Sequence, residues 1–353
     1  MRTRVGIVGT SGSLMQDGWT QAFAQPGSGF EIVGNVSLGS SHAAMLPYRL
    51  PLLDDVAMDV LIVDLCVNEQ RALNRNLHDP AQTAALFEWL RAWCADRGIL
   101  PVVLILPHVT AAGLRAAAVR DHWVAMCRAA GLPFLDGYRL LRQACFYSER
   151  GVRHFMAGQS HLNPRGAKMV ATVLMDTLSR FLQGAQIGAV PGAAHDFRHV
   201  HLGGGLERAT GLLREKVHRL SLGDTLPVAS GPGDLVGMVL NMTATNAALV
   251  VLGEEMRIKR LDSPFAQDGA GPVMVCWMLL NPVATLDGGF VLSVQPARDM
   301  AGQEDNDHSA TDRPSHPADP TVELSGLILR TAARPRRLMA ASGADPDLMR
   351  LLD

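Results

Sequence analysis

Val5-Gly6-Ile7-Val8-Gly9-Thr10-Ser11-Gly12-Ser13 is the run of residues on which the fold is read. A short, β-branched apolar segment ends at Gly9, and four small residues follow. β-Branched side chains suit a pleated strand, and a glycine-rich exit lets the chain turn sharply. Similar apolar runs recur at residues 30–36, 59–65 and 100–106, with a shorter one at 132–135. Helical patterns separate them. Residues 15–24 are amphipathic, and residues 83–97 carry Leu86, Leu90 and Trp93 at helical spacing behind a cap at Asp79 and Pro80. Residues 111–130 are rich in alanine, and residues 164–182 follow an Asn163 cap.

Continuous apolar strands alternating with helices predict a parallel sheet covered on both faces, an α/β three-layer domain of flavodoxin-like type. Such sheets bind ligands beyond the carboxyl ends of their strands. The rule points to residues 10–13, 37–42 and 66–71, to His108 and to Asp136.

The pattern changes after Gln186. Residues 188–205 are rich in Gly, Ala and Pro and read as a linker. Short strand-like runs follow at 235–240, 247–252, 256–260, 274–280, 290–294 and 322–329, which predicts a jelly-roll-like β-sandwich. The expected organisation is a catalytic domain over residues 1–187, a linker over 188–205, a β-sandwich over 206–335 and a tail over 336–353. Residues 299–320 are polar and read as a loop.

Composition narrows the function. The 353 residues suit two domains, and 48% are hydrophobic, enough for two cores. A formal net charge of -2 argues against a dedicated nucleic-acid or anionic-membrane binder, which needs a basic excess. Five scattered cysteines without a CxxC pair predict neither a disulfide framework nor a zinc–thiolate site. The N-terminus reads as a strand that begins at once, and no apolar run has the length of a membrane span, so the expected location is cytoplasmic.

Four points at successive strand ends carry chemistry. Ser11 sits in the turn after the first strand, where backbone N–H groups point outward to hold an oxyanion. Gly39, after the second strand, offers another N–H. Asn68, after the third, offers a side-chain amide. His161, in Gly158-Gln159-Ser160-His161-Leu162-Asn163-Pro164, stands just before the last helix, where a loop brings it back over the sheet as a general base.

In order and placement these blocks resemble the SGNH (GDSL-like) hydrolase family over residues 1–185. Gly9-Thr10-Ser11, Gly39, Cys66-Val67-Asn68-Glu69 and Gly158-Gln159-Ser160-His161 stand for its four blocks. The resemblance implies Ser11 as nucleophile, His161 as base, and Gly39 and Asn68 in the oxyanion hole. The chain departs from the pattern at Thr10, Cys66 and Glu69. It departs most sharply at Gly158, where the family's aspartate would orient the histidine. A backbone carbonyl or Glu69 is the expected substitute. His42, His108 and Arg71 lie at the predicted rim and are candidate substrate contacts, against the plainer reading that each is structural.

Two rival patterns are weaker. Gly6, Gly9 and Gly12 follow a strand, but their spacing is not Gly-x-Gly-x-x-Gly, and Asn35 rather than an acid ends the second strand. His195, His199 and His201 are dense enough for a metal but read as linker histidines.

The expected function is a serine-dependent carbohydrate O-acyl esterase or acyltransferase, handling acetyl groups and needing no metal or cofactor. Its partner is an acylated small molecule or glycan, with the β domain a place for glycan binding or homo-oligomer formation. Gly158 motivates a second reading, a catalytically silent glycan-binding or scaffold protein.

Overall fold

The computed structural model describes residues 2–70, 79–109, 118–210, 213–261, 275–296, 303–304, 319–334, 337–342 and 345–352. Five strands form the first sheet: β1 (Thr3–Gly9), β2 (Phe30–Asn35), β3 (Val60–Asp64), β4 (Leu100–Ile105) and β5 (Phe134–Asp136). All pairings are parallel, in the order β2-β1-β3-β4-β5. This is the expected flavodoxin-like arrangement. From β1 the chain adds β2 on one side, then returns to add β3 on the other. The crevice beyond β1 and β3 is therefore the topological switch point, where ligands bind in such sheets.

The helices are α1 (Thr20–Phe23), α2 (Leu46–Arg49), α3 (Pro80–Ala95), α4 (Ala118–Ala130), α5 (Gly137–Ser148) and α6 (Pro164–Gly184). Alternate strand residues Val5, Ile7, Val60, Ile62, Val102 and Leu104 share one core with Trp19, Phe23, Leu141, Leu174 and Phe181. On α3 and α4, Phe87 and Trp123 meet edge to face, their rings 4.8 Å apart. The amphipathic pattern at 15–24 yields only the single turn of α1, and the expected helix at 111–130 is described from Ala118 onward. Helix α5 is not among the expected elements. Asp136 starts it, its carboxylate accepting from the Arg139 N–H at 3.1 Å. Among the described residues, no helix is long and apolar enough to cross a membrane.

The chain divides into two compact units. The first contains Pro80–Ala194 with the N-terminal segment, and also Ala333–Asp353. The second contains His195–Ala332. Composition mistakes two segments here. Residues 188–205 are not a plain linker: β6 (Gln186–Pro191) and β7 (His195–His201) occupy most of them. Residues 336–353 are not a loose tail. β16 (Arg337–Ser342) pairs antiparallel with β6, Asp347 bridges to Phe134, and Leu348 and Met349 are buried in the core beside α6. Long-range pairing and burial decide both, and neither leaves a local mark in Gly- and Ala-rich sequence.

In the second unit, β8 (Leu206–Ala209), β9 (Arg214–Ser221), β10 (Thr225–Asn241), β11 (Ala248–Leu252), β12 (Met256–Arg260), β13 (Val275–Gln295), β14 (Gln303–Glu304) and β15 (Thr321–Ala332) join in one hydrogen-bonded path. The order is β14-β12-β11-β13-β10-β15-β9-β8, with β7 also on β15. Pairing is antiparallel except between β12 and β14. The two expected strands at 274–280 and 290–294 are one long strand, β13, because its ladder with β10 continues through two register shifts. Gly231 and Gly233 lie in or between these shifts at φ 71 and φ 152, values that favour glycine.

Candidate active site

Ser11 opens a 3-10 turn (Ser11–Ser13) directly after β1. Thr10 caps it, its Oγ1 accepting from the Gly12 N–H at 3.3 Å. Thr10 thus serves the turn as a cap. His161 comes from the loop ahead of α6. Asn163 caps that helix, accepting from the Gly166 N–H at 3.0 Å. An isolated antiparallel bridge, Met156 to Leu162, closes the loop, with Ala157 N–H donating to His161 O at 2.8 Å. Val109 N–H donates to Gln159 O at 2.7 Å, tying the loop to the end of β4. The result brings Ser11 Oγ to 2.8 Å from His161 Nε2, a normal hydrogen-bond length for a nucleophile and its base. Both residues are half-buried.

Gly39 reaches the same end of the sheet because backbone pairing outlasts β2. Val36 N–H donates to Ile7 O at 2.9 Å and Leu38 N–H to Gly9 O at 3.0 Å. Gly39 is exposed, and the next residue, Ser40, takes φ 57. Asn68 ends a 3-10 turn (Cys66–Asn68) after β3. Its Nδ2 donates to Ser41 O at 2.8 Å, which fixes the amide and leaves its second N–H hydrogen for another acceptor.

The remaining candidates fall into other roles. Glu69 is fully buried. One oxygen accepts from Ala43 N–H at 2.9 Å and the other from Trp123 Nε1–H at 2.5 Å. Its carboxylate therefore clamps α4 to the loop before α2 and does not meet the His161 ring. His42 is also buried, its Nδ1 accepting from Ala44 N–H at 3.3 Å as a cap rather than standing at a rim. His108 is half-buried beside the His161 loop. Its backbone N–H donates to the Tyr138 hydroxyl at 2.9 Å, and burial lowers its imidazole from the ordinary value. Arg71 lies outside the described residues.

Two groups escaped the sequence reading. Asp64, at the end of β3, is fully buried beneath the Ser11 turn. Its Oδ2 accepts from Ser13 Oγ–H at 2.7 Å and from Trp19 Nε1–H at 3.4 Å. Burial pushes this carboxyl up to about 6, against the lowering effect of those bonds. Ser160, next to the base, places its Oγ 3.4 Å from His161 Nδ1. A hydroxyl beside the histidine of a block that lacks its acid was the available signal. Among the described residues, no three His, Cys, Asp or Glu side chains gather as a metal site requires. His199 and His201 lie on β7, their rings 5.9 Å apart.

No family model matches the chain, and no curated protein sequence does. Solved structures do. A two-domain esterase active on acetylated mannans aligns with a TM-score of 0.57 at 10% identity, over 94% of this chain and 92% of that one. Its co-crystal with mannopentaose gives a TM-score of 0.58 at 9% identity over the same shares. A member of the lipolytic G-D-S-L family from Veillonella parvula DSM 2008 covers 50% of this chain and 99% of its own, at 13% identity and a TM-score of 0.40. The chain shares the fold of that two-domain esterase, with a five-stranded parallel α/β domain and an antiparallel β domain.

Proposed function

We propose that this protein is a serine-dependent O-acyl esterase acting on acetylated carbohydrate. The observation that carries the reading is the 2.8 Å approach of Ser11 Oγ to His161 Nε2. In the mechanism that follows, Ser11 attacks the acyl carbonyl as Nε2 takes its proton. The N–H groups of Ser11 and Gly39 and the free amide hydrogen of Asn68 hold the oxyanion. Collapse expels the sugar alcohol, which His161 protonates. His161 then activates water to release the acid, or a second hydroxyl if the acyl group is transferred. The likeness to an esterase of acetylated mannans supports a polysaccharide substrate, with acetyl as the acyl group.

Gly158 supports a second reading, a glycan-binding protein without turnover. Incubation with acetylated mannan and with p-nitrophenyl acetate, beside Ser11→Ala and His161→Ala, separates the two. Acetate release by wild type that both variants lose supports the esterase. Mannopentaose binding by calorimetry, with acetate release no greater than in the variants, would favour the silent binder.

A further inference from the structure

We propose that Ser160 is the positioning residue of His161, a neutral hydroxyl standing in for the missing carboxylate; this rests on reading Ser11 and His161 as nucleophile and base. A histidine that accepts a proton at Nε2 must carry its own hydrogen at Nδ1, and an acceptor there selects that tautomer. Among the described residues the ring has two hydrogen-bond partners, Ser11 Oγ on Nε2 and Ser160 Oγ on Nδ1. Both oxygens of the Glu69 carboxylate are bonded, to Ala43 and Trp123, and Asp64 Oδ2 is bonded to Ser13 and Trp19. Gly158 has no side chain to offer.

The loop supplies what a single hydroxyl does not. Its backbone is held by Gln159 O to Val109, by His161 O to Ala157, and by the Met156–Leu162 bridge. Ring direction therefore comes largely from the loop, and Ser160 Oγ has only to accept the Nδ1 hydrogen. A 3.4 Å contact is long for this task. When the Ser11 hydroxyl donates to Nε2, the ring hydrogen lies on Nδ1, and Ser160 Oγ is the oxygen placed to accept it. The place of the family's acid is open rather than filled. A Cβ built at Gly158 meets no atom within 4 Å, so the hydroxyl works without a competing side chain there.

The test is ring-nitrogen NMR of the full chain labelled at histidine, with the His161 signals assigned by their loss in His161→Gln. Wild type is expected to hold hydrogen at Nδ1. Ser160→Ala shifts the population toward Nε2–H, and Ser160→Thr restores it. On p-nitrophenyl acetate, Ser160→Ala lowers kcat about tenfold at unchanged KM, and Ser160→Thr recovers it to within about twofold. An unchanged tautomer in Ser160→Ala overturns the proposal, whatever the activity. A tautomer that shifts in a protein that hydrolyses nothing supports the positioning role and overturns the esterase reading.

Discussion

Ser11 and His161 stand 150 residues apart in the chain and 2.8 Å apart in space. One hangs from the end of β1, and the other is carried by a loop tied to the end of β4 through Val109 and Gln159. The hydrogen bonds described around both lie within the first unit. Variants around this pair therefore separate chemistry from stability.

Asn68→Ala should lower kcat on p-nitrophenyl acetate by about 10²–10³ with little change in KM, as loss of one oxyanion donor does. The variant also loses the bond from Nδ2 to Ser41 O, worth about 1 kcal/mol. Steady-state kinetics beside a urea titration resolves the two effects. A fall in stability with kcat intact would remove Asn68 from the oxyanion hole.

Glu69→Ala should do the reverse. It leaves Ala43 N–H and Trp123 Nε1–H without their buried acceptor, at a cost of about 2–3 kcal/mol. Turnover per folded molecule, measured with an active-site titrant, is expected to stay close to wild type. A large loss of kcat in well-folded variant would return Glu69 to the catalytic machinery.

Asp64 should make stability fall with rising pH. Its folded value of about 6 lies above the ordinary 3.8, so the folded chain holds this proton more tightly than the unfolded chain. The group's contribution is complete below about pH 4 and is lost as pH rises through about 6, a change of about 3 kcal/mol. Asp64→Asn keeps an acceptor for Ser13 and removes the titration. Urea unfolding of both proteins at about pH 4 and about pH 7.5 should show wild type losing ground to the variant as pH rises. A gap that stays constant between the two pH values contradicts this account.

Leu348 ties the C-terminal segment to the first domain. It is fully buried in the core that holds Leu174, Leu178 and Phe181. Leu348→Ala should cost about 2–5 kcal/mol, against under about 0.5 kcal/mol for the exposed Leu352→Ala. Equal unfolding midpoints for the two variants would mean that the segment is not part of the domain's core.

The parallel sheet was legible from Val5, Ile62 and Val102 and their neighbours because apolar, β-branched runs bounded by turns are local signals. For the same reason the strand ends marked Ser11, Gly39 and Asn68 as candidates, and the Asn163 cap placed His161 just ahead of the last helix. Local sequence could not say what Glu69 or His42 would touch. Trp123 lies 54 residues beyond Glu69, and burial joins them only when α4 packs on the sheet. It could not show that residues 188–205 and 336–353 contribute paired strands, since β6 and β16 are far apart in the chain and weakly patterned. Sequence alone thus determined the sheet and the order of its strands along the chain, because periodicity and turn chemistry act over a few residues. Only the tertiary structure decided that, among the described residues, Ser160 rather than a carboxylate meets Nδ1 of His161 and that Asp64 lies buried beneath the nucleophile, because hydrogen-bond partners and burial are set by elements distant in the chain.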